Sequence, residues 1–339
     1  MTTLVAAEPC QGALTVSQVE GWRNQGFVFV AGLLPGALVS KLANNAGERY
    51  PAAGNEAAEN ISDFGSAGAL TFPSQIDGLN ELTLHPNLLT AVSTLLGEAV
   101  ADLRLTQSDL WVKYGRTQRQ GEQDNQDQRI HVDYPNHTLA HPTPWDRPEA
   151  VEIIVYFDDA SHTAGGTAVV PRTGQEDPAY RWPIVDSPGI GDLRYINDRT
   201  SAEDYFAERR PQLAAWRQSL YAREIQTDFR PGDVLFYRHD TWHRGTPMTP
   251  GTRRLVQNIT YRRASAEWIS TLHVGWAWKA YRNNKYLERL IAESSLDQRA
   301  VLGFPQPGNP YWCEATLDAV VQRYGMFGFD PTPYRAQLS

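Results

Sequence analysis

The residue pattern predicts a mainly β protein of the sandwich or jelly-roll kind with flanking helices. Three observations carry that expectation. From about residue 104, seven short runs rich in β-branched and aromatic residues follow one another. Gly, Pro, Asp and Asn turns separate them, as in an antiparallel sandwich or jelly-roll barrel rather than a parallel sheet. Helical periodicity is confined to the first hundred residues, one insert and the C-terminal end.

Along the chain, LTVSQVEGWRNQGFVFVAGLLPG predicts a helix at 17–24, a strand at 26–31 and a second helix after Pro35. LHPNLLTAVSTLLGEAV, 84–100, carries apolar residues at helical spacing. The strand-like runs are LRLTQSDLWVKYG, QRIHVDY, AVEIIVYFD, GGTAVVP, EIQTDF, GDVLFYR and RRLVQNITYRR. Between GGTAVVP and EIQTDF lies an insert, 174–223, whose second half reads as a helix interrupted at Pro211. Inserts of that length serve as lids or substrate walls, or merely decorate a surface. After Arg263 the pattern turns helical again, most clearly in WKAYRNNKYLERLIAES. The expected organisation is one domain, 1–339: helices at 14–100, a β core at about 100–263 holding the insert, and a helical extension at 264–339.

Composition bounds the function. A hydrophobic fraction of 41%, punctuated by 26 Gly and 22 Pro, is that of a soluble globular protein. The net charge of −8, with no Lys/Arg block, disfavours nucleic acid and anionic membranes as partners. Cys10 and Cys313 make neither a disulfide framework nor a cysteine metal site, which fits the reducing cytoplasm. MTTLVAAEPCQG lacks a signal-peptide pattern, and no apolar run is long enough to span a bilayer. A soluble, unprocessed enzyme acting on a small molecule is expected, with oligomerisation left open.

The chemistry-bearing stretch is FYRHDTWHRG, 236–245, with His239 and His243 four apart. HDTWH differs from the zinc-peptidase pattern H-E-x-x-H by Asp240 in place of Glu, and that pattern works only on a helix. A turn and β-favouring run precede it, and Gly245, Pro247 and Pro250 follow, leaving a helix no room. A two-histidine, one-carboxylate iron site needs a further pair, and RIHVDY supplies His131 and Asp133. In a strand, residues i and i+2 face one way, so both could meet one metal. H-x-D alone is weak, since roughly half an occurrence is expected by chance. Arg254 strengthens it. If Pro250 and Gly251 turn a hairpin, Arg254 faces position 247, roughly 13 Å along the ladder from His243. There its planar fork could grip the far carboxylate of a five-carbon 2-oxo diacid chelating the metal.

Together HVDY, GGTAVVP, PGDVLFYRHDTWHRGTP and Arg254, eleven residues after His243, make the chain resemble the phytanoyl-CoA dioxygenase family of iron(II)- and 2-oxoglutarate-dependent oxygenases. The resemblance covers roughly 14–263 and implies a double-stranded β-helix core, the cupin-like jelly roll. It implies iron held by His131, Asp133 and His243, Arg254 on the 2-oxoglutarate C5 carboxylate, and His239 as a bystander. QSDLWVKYG resembles the strand of ectoine-hydroxylase-like members in which a glutamine holds the co-substrate. Gln107 maps to that residue, and Lys113 shares its strand face. The asparagine such members carry four positions later is Trp111, and the usual P-G-S-H reads PRTG, so Arg172 and Gly174 depart from the pattern.

The resemblance also implies the reaction. Dioxygen and 2-oxoglutarate are consumed, succinate and carbon dioxide form, and a C–H bond is oxidised. Halogenating relatives lack the carboxylate at the position of Asp133, so hydroxylation is expected, with desaturation, cyclisation or epimerisation as alternatives. A catalytically silent binding protein on the same fold is the rival from another class. Asn258 shares the face of Arg254 and is either a site residue or a structural amide. Arg253 faces the opposite way and is read as surface or ion-paired. Tyr134, His137 and Trp242 stand as substrate contacts, against solvent exposure for His137 and His141 and packing for the aromatics. Trp276, Trp278 and Tyr281 read as packing or a contact between copies of the chain.

Overall fold

The computed structural model describes residues 3–61, 70–72, 74–118, 120–133, 138, 145–178, 189–266, 285–296, 299 and 304–338. Among them the strands are β1 (Thr3–Ala6), β2 (Glu8–Pro9), β3 (Phe27–Ala31), β4 (Leu70–Thr71), β5 (Leu103–Tyr114), β6 (Ala150–Tyr156), β7 (Thr167–Val169), β8 (Ile225–Asp228), β9 (Val234–Arg238), β10 (His243–Gly245) and β11 (Arg253–Arg263). The longer helices are α1 (Val16–Gln25), α2 (Gly36–Gly47), α3 (Pro86–Leu96), α4 (Arg199–Arg209), α5 (Pro211–Tyr221), α6 (Tyr286–Glu293) and α7 (Glu314–Tyr324).

The strands form two mixed sheets, a larger one in the order β2-β3-β9-β6-β11-β5-β4 and a smaller one in the order β1-β8-β7-β10. They face each other as an open sandwich, so the barrel alternative gives way to a two-sheet jelly roll. Both faces of the larger sheet are buried, and strand parity says against what. Val28 and Val30, Val151, Ile153 and Val155, and Leu255 and Ile259 pack with Trp22, Leu38, Leu42 and Leu88 beneath the N-terminal helices. Phe27, Phe29, Ile154, Tyr156, Leu235 and Val256 point the other way and meet Val169 and Phe229 between the sheets. This two-sided burial explains why AVEIIVY, apolar but for Glu152, lacks an alternating pattern.

Helix α1 starts where Thr15 and Gln18 form a capping box and ends at Gly26, whose φ of 89° puts it in the left-handed region. The site depends on that glycine. A Cβ there would come within 2.8 Å of Thr241 Oγ1, and the Gly26 carbonyl accepts hydrogen bonds from Thr241 Oγ1 and Arg238 N. The end of α1 is thereby tied to the 238–241 turn.

In the N-terminal tail β1 pairs in parallel with β8, and Cys10 is buried. The insert helix is interrupted at Pro211 as expected: α4 ends at Arg209 and Pro211 opens α5. Two expectations need correction. QRIHVDY is not a strand: Gln128 and His131 each make an isolated bridge, and Asp133 sits in a bend. The second is the hairpin before Arg254. A turn does form at 249–252, but β10 pairs with β7 in one sheet while β11 pairs with β5 and β6 in the other. Arg254 therefore lies opposite Lys113, not residue 247, because the chain crosses between sheets at its proline-rich turn.

Helix α6 lies inside WKAYRNNKYLERLIAES, whose first residues, with Trp276 and Tyr281, fall outside the described set. Helix α7 and Trp312, Phe304 and Tyr334 form a separate aromatic core for the C-terminal extension. Among the described residues no helix is long and apolar enough to cross a membrane.

Candidate metal centre

The edge strand β10 places His243 opposite Val169 of β7. Along its other edge runs the 128–131 segment, and His131 and His243 form an antiparallel bridge there. Ligating atoms of His131, Asp133 and His243 all lie within 4.8 Å of one another. Asp133 Oδ1 is 3.6 Å from His131 Nε2, and Asp133 Oδ2 is 3.3 Å from His243 Nε2. Each imidazole turns its other nitrogen to a backbone carbonyl: His131 Nδ1 lies 3.1 Å from Arg129 O and His243 Nδ1 3.0 Å from Thr241 O. A carbonyl only accepts, so Nδ1 carries the proton and Nε2 keeps its lone pair for a metal. Burial, followed by the charges of Arg129 and His243, pushes His131 well below the usual imidazole range, which keeps it neutral and ligand-competent.

The surrounding residues brace these three side chains. Arg244, next to His243 but facing away, forks onto Glu224 at 2.8 and 2.7 Å and also meets Asp127. Helix α5 of the insert grips the residue before His131 at both ends of its peptide: Ile130 N donates to Tyr221 Oη at 2.9 Å and Arg217 Nη2 donates to Ile130 O at 3.1 Å. Arg217 and Tyr221 are bound in turn by Glu203 of α4 at 2.8 Å each. In this respect the insert is a buttress. Asp240 is buried, and although burial raises its pKa, the charges of Arg238 and Arg172 outweigh that and hold it at about 2. The odd residue Arg172 thus has a task, and its guanidinium also stacks 4.2 Å from the Trp145 ring.

The cavity at the triad extends between the sheets to Arg254 and Lys113 and includes Trp111, Asn258, Tyr237 and Gln128. Arg254 Nη1 donates to Gly165 O, a contact that Gly165 permits through its φ of 72°; a Cβ there would sit 2.5 Å from Met248. Lys113 Nζ is held by the carbonyls of Gln126 and Thr246 at 3.2 and 3.4 Å. Asn258 Oδ1 is buried and makes no hydrogen bond among the described residues.

Not every expected residue joins them. Gln107 shares the strand face of Lys113 but lies beyond the cavity lining and donates to Asp109 at 3.1 Å. Trp242 is fully buried against Ile130, Val132 and Trp216, as packing rather than lining. His239 is buried and is not part of the His131–Asp133–His243 cluster. Arg253 is not on the open surface: its Nη1 donates to the carbonyls of Gly47, which ends α2, and Tyr50 beyond it. Tyr134, His137 and His141 fall outside the described residues.

Three nearby residues escaped the sequence reading. Gln128 clasps Gly245 N with its Oε1 at 2.7 Å. Glu152 is buried on the inner face, where burial and then the charge of Asp133 raise its carboxyl well above the usual range. Tyr237 donates to Asp133 Oδ2 at 2.9 Å. Only strand parity with Leu235 could have turned Tyr237 inward, and nothing in a single strand shows what its hydroxyl meets.

The sequence profile of the phytanoyl-CoA dioxygenase (PhyH) family matches residues 22–255. The chain belongs to this family. Among curated proteins none matches the sequence. Solved structures do. The carbocyclase SnoK from nogalamycin biosynthesis, described as non-heme and alpha ketoglutarate dependent, is 18% identical at a TM-score of 0.52, over 77% of this chain and 90% of that one. EctD from S. alaskensis, solved with 2-oxoglutarate and 5-hydroxyectoine, is 16% identical at 0.51, over 77% and 81%. EvdO2 from Micromonospora carbonacea var. aurantiaca, complexed with 2-oxoglutarate, is 14% identical at 0.50, over 75% and 93%. At these identities the likeness is one of fold. Within this PhyH-family chain, two imidazole nitrogens and one carboxylate are the donor set that suits iron(II) and leaves coordination positions open.

Proposed function

We propose that the protein is an iron(II)- and 2-oxoglutarate-dependent dioxygenase that hydroxylates an unactivated C–H bond of a small organic molecule. The balance is substrate R–H plus 2-oxoglutarate plus dioxygen giving R–OH, succinate and carbon dioxide. The observation that carries the reading is the shared cavity, with His131, Asp133 and His243 at one place and Arg254 and Lys113 further along it.

His131, Asp133 and His243 would hold the metal, which when bound supplies dioxygen activation coupled to 2-oxo acid decarboxylation. The chain's own work is orientation and exclusion of water. Arg254 presents a planar fork suited to the far carboxylate of 2-oxoglutarate, and Lys113 lies opposite it on β5 as a second cation. Asn258 offers an amide on the same inner face of β11. Trp111, Val256 and Ile154 supply apolar walls. Gln107, one rung or more outside the lining, is not assigned a co-substrate contact.

The test is anaerobic addition of iron(II) and 2-oxoglutarate to the purified protein. A metal-to-ligand charge-transfer band, lost in His243→Ala, supports the reading; no band in the wild type sinks it and leaves a silent binding protein. The reaction itself is read by incubation with a metabolite extract. A 2-oxoglutarate-dependent gain of about 16 mass units marks hydroxylation, and a loss of about two marks desaturation or ring closure.

A further inference from the structure

The three candidate ligands are held in different ways. His131 and His243 are fixed through their backbones by the bridge between them, and their rings by carbonyls on Nδ1. Asp133 lies in a bend outside any strand, yet its carboxylate must meet both imidazoles. Among the described residues, one side chain that reaches it from elsewhere in the fold is Tyr237. That residue sits on β9 in the interior of the larger sheet, paired with Phe27 of β3 on one side and Glu152 of β6 on the other. Its ring centroid lies 4.6 Å from that of His243. Its backbone and ring are therefore set independently of Asp133, and its hydroxyl falls 2.9 Å from Asp133 Oδ2.

We infer that Tyr237 is a positioning residue for the metal-binding carboxylate, its phenol fixing the orientation of Asp133 and occupying one of its oxygens. The inference rests on the oxygenase reading of the triad. A carboxylate with one oxygen tied to a rigid donor meets an ion through a single atom in preference to chelating through two. Single-atom ligation conserves the coordination positions that a bidentate 2-oxo acid and dioxygen require. Packing does not call for the hydroxyl, since Leu235, Phe27 and Phe29 fill the same inter-sheet layer without one. A phenol buried in such a layer is kept where its hydroxyl has an acceptor, and here that acceptor is a candidate ligand.

The experiment compares wild type, Tyr237→Phe and, as a control for loss of a buried phenol away from the site, Tyr50→Phe, whose hydroxyl bonds Leu110 O. Each is titrated anaerobically with iron(II), then with 2-oxoglutarate, and the melting temperature of each metal-free protein is recorded. Tyr237→Phe is expected to bind iron(II) roughly 10- to 100-fold more weakly, as loss of a hydrogen bond to a metal ligand does. Its charge-transfer band should shift, with the metal-free melting temperature close to wild type. Tyr50→Phe should match wild type in affinity and band. An unchanged affinity and band in Tyr237→Phe overturns the inference, whatever its stability. If Tyr237→Phe does not fold, 3-fluorotyrosine at position 237 keeps the shape and alters donor strength; an unmoved band then overturns it. A wild type that binds no iron(II) sinks the oxygenase reading itself, a result distinct from either.

Discussion

His131 and His243 exchange both backbone hydrogen bonds, His131 N to His243 O at 2.9 Å and His243 N to His131 O at 2.8 Å. Two residues far apart in the chain are thereby one rung of a ladder, and their rings stand 4.4 Å apart between centroids. Moving either backbone moves both imidazoles.

That coupling separates ligand from bystander. His243→Ala and His131→Ala each delete one of three donors and should fail to retain iron(II) through anaerobic desalting. His239→Ala should retain about one equivalent while losing roughly 1–3 kcal/mol of stability, because it empties a buried position. Metal analysis and thermal melts on the three variants decide it. Equal metal loss in His239→Ala would revive the H-D-x-x-H reading.

Arg254 should act on the co-substrate and not on the metal. Loss of a buried fork facing a carboxylate costs about 2–4 kcal/mol, so Arg254→Ala should weaken 2-oxoglutarate by roughly 30- to 1000-fold. Arg254→Lys keeps charge without planarity and should recover only part of that. Calorimetry on the iron-loaded, oxygen-free variants measures both. A normal affinity in Arg254→Ala would remove this residue from the co-substrate site.

The insert's grip on Ile130 predicts an effect transmitted to the ligand next to it. Tyr221→Phe removes the acceptor of Ile130 N and leaves a buried amide unpaired, at about 1–3 kcal/mol. Metal affinity should fall alongside stability, since residue 130 sets where residue 131 begins. Urea unfolding of the metal-free variant and an iron(II) titration separate the two losses. A variant destabilised but with wild-type affinity would show that the buttress stabilises without steering the site.

Stability against pH tests a group away from the metal. Burial, with Asp228 and Asp159 nearby, lifts Asp233 to about 6 against the pull of Arg230. The unfolded carboxyl titrates near 3.8. Between those values the folded chain holds more protons than the unfolded one, so this contribution is full below about 3.8 and is lost as pH rises through 6. At 1.36 kcal/mol per pKa unit the loss is at most about 3 kcal/mol. Asp233→Asn keeps an acceptor for Arg230 N but does not titrate. Urea midpoints of the metal-free proteins at pH 4 and pH 7 should therefore diverge, and parallel curves would refute the assignment.

The clustering of His131, Asp133 and His243 was legible in distinctive residue types and separations, although RIHVDY is not the strand its pattern predicts. His131 and Asp133 converge across a bridge and a bend, geometry that no period-2 rule describes. Arg254 reaches the cavity along β11 of the larger sheet, and not across the hairpin ladder with β10 that its spacing suggests. Gln107 and Trp242 show the limits of parity and adjacency. The first lies on the right face but too far along it, and the second sits next to a ligand but turns into a core.

Local pattern decided which stretches became strands and helices, because capping, turn chemistry and apolar period act within a dozen residues. It decided α1, the long strands β5, β6 and β11, and the break at Pro211. Sheet partnership belongs to another scale, since it is settled by which buried faces fit together after loops of many residues have closed. That fit placed β10 and β11 in different sheets, paired the N-terminal tail with β8, and seated α5 against Ile130. It also brought the hydroxyl of Tyr237 to Asp133, a contact whose two ends carry no common signal in the chain.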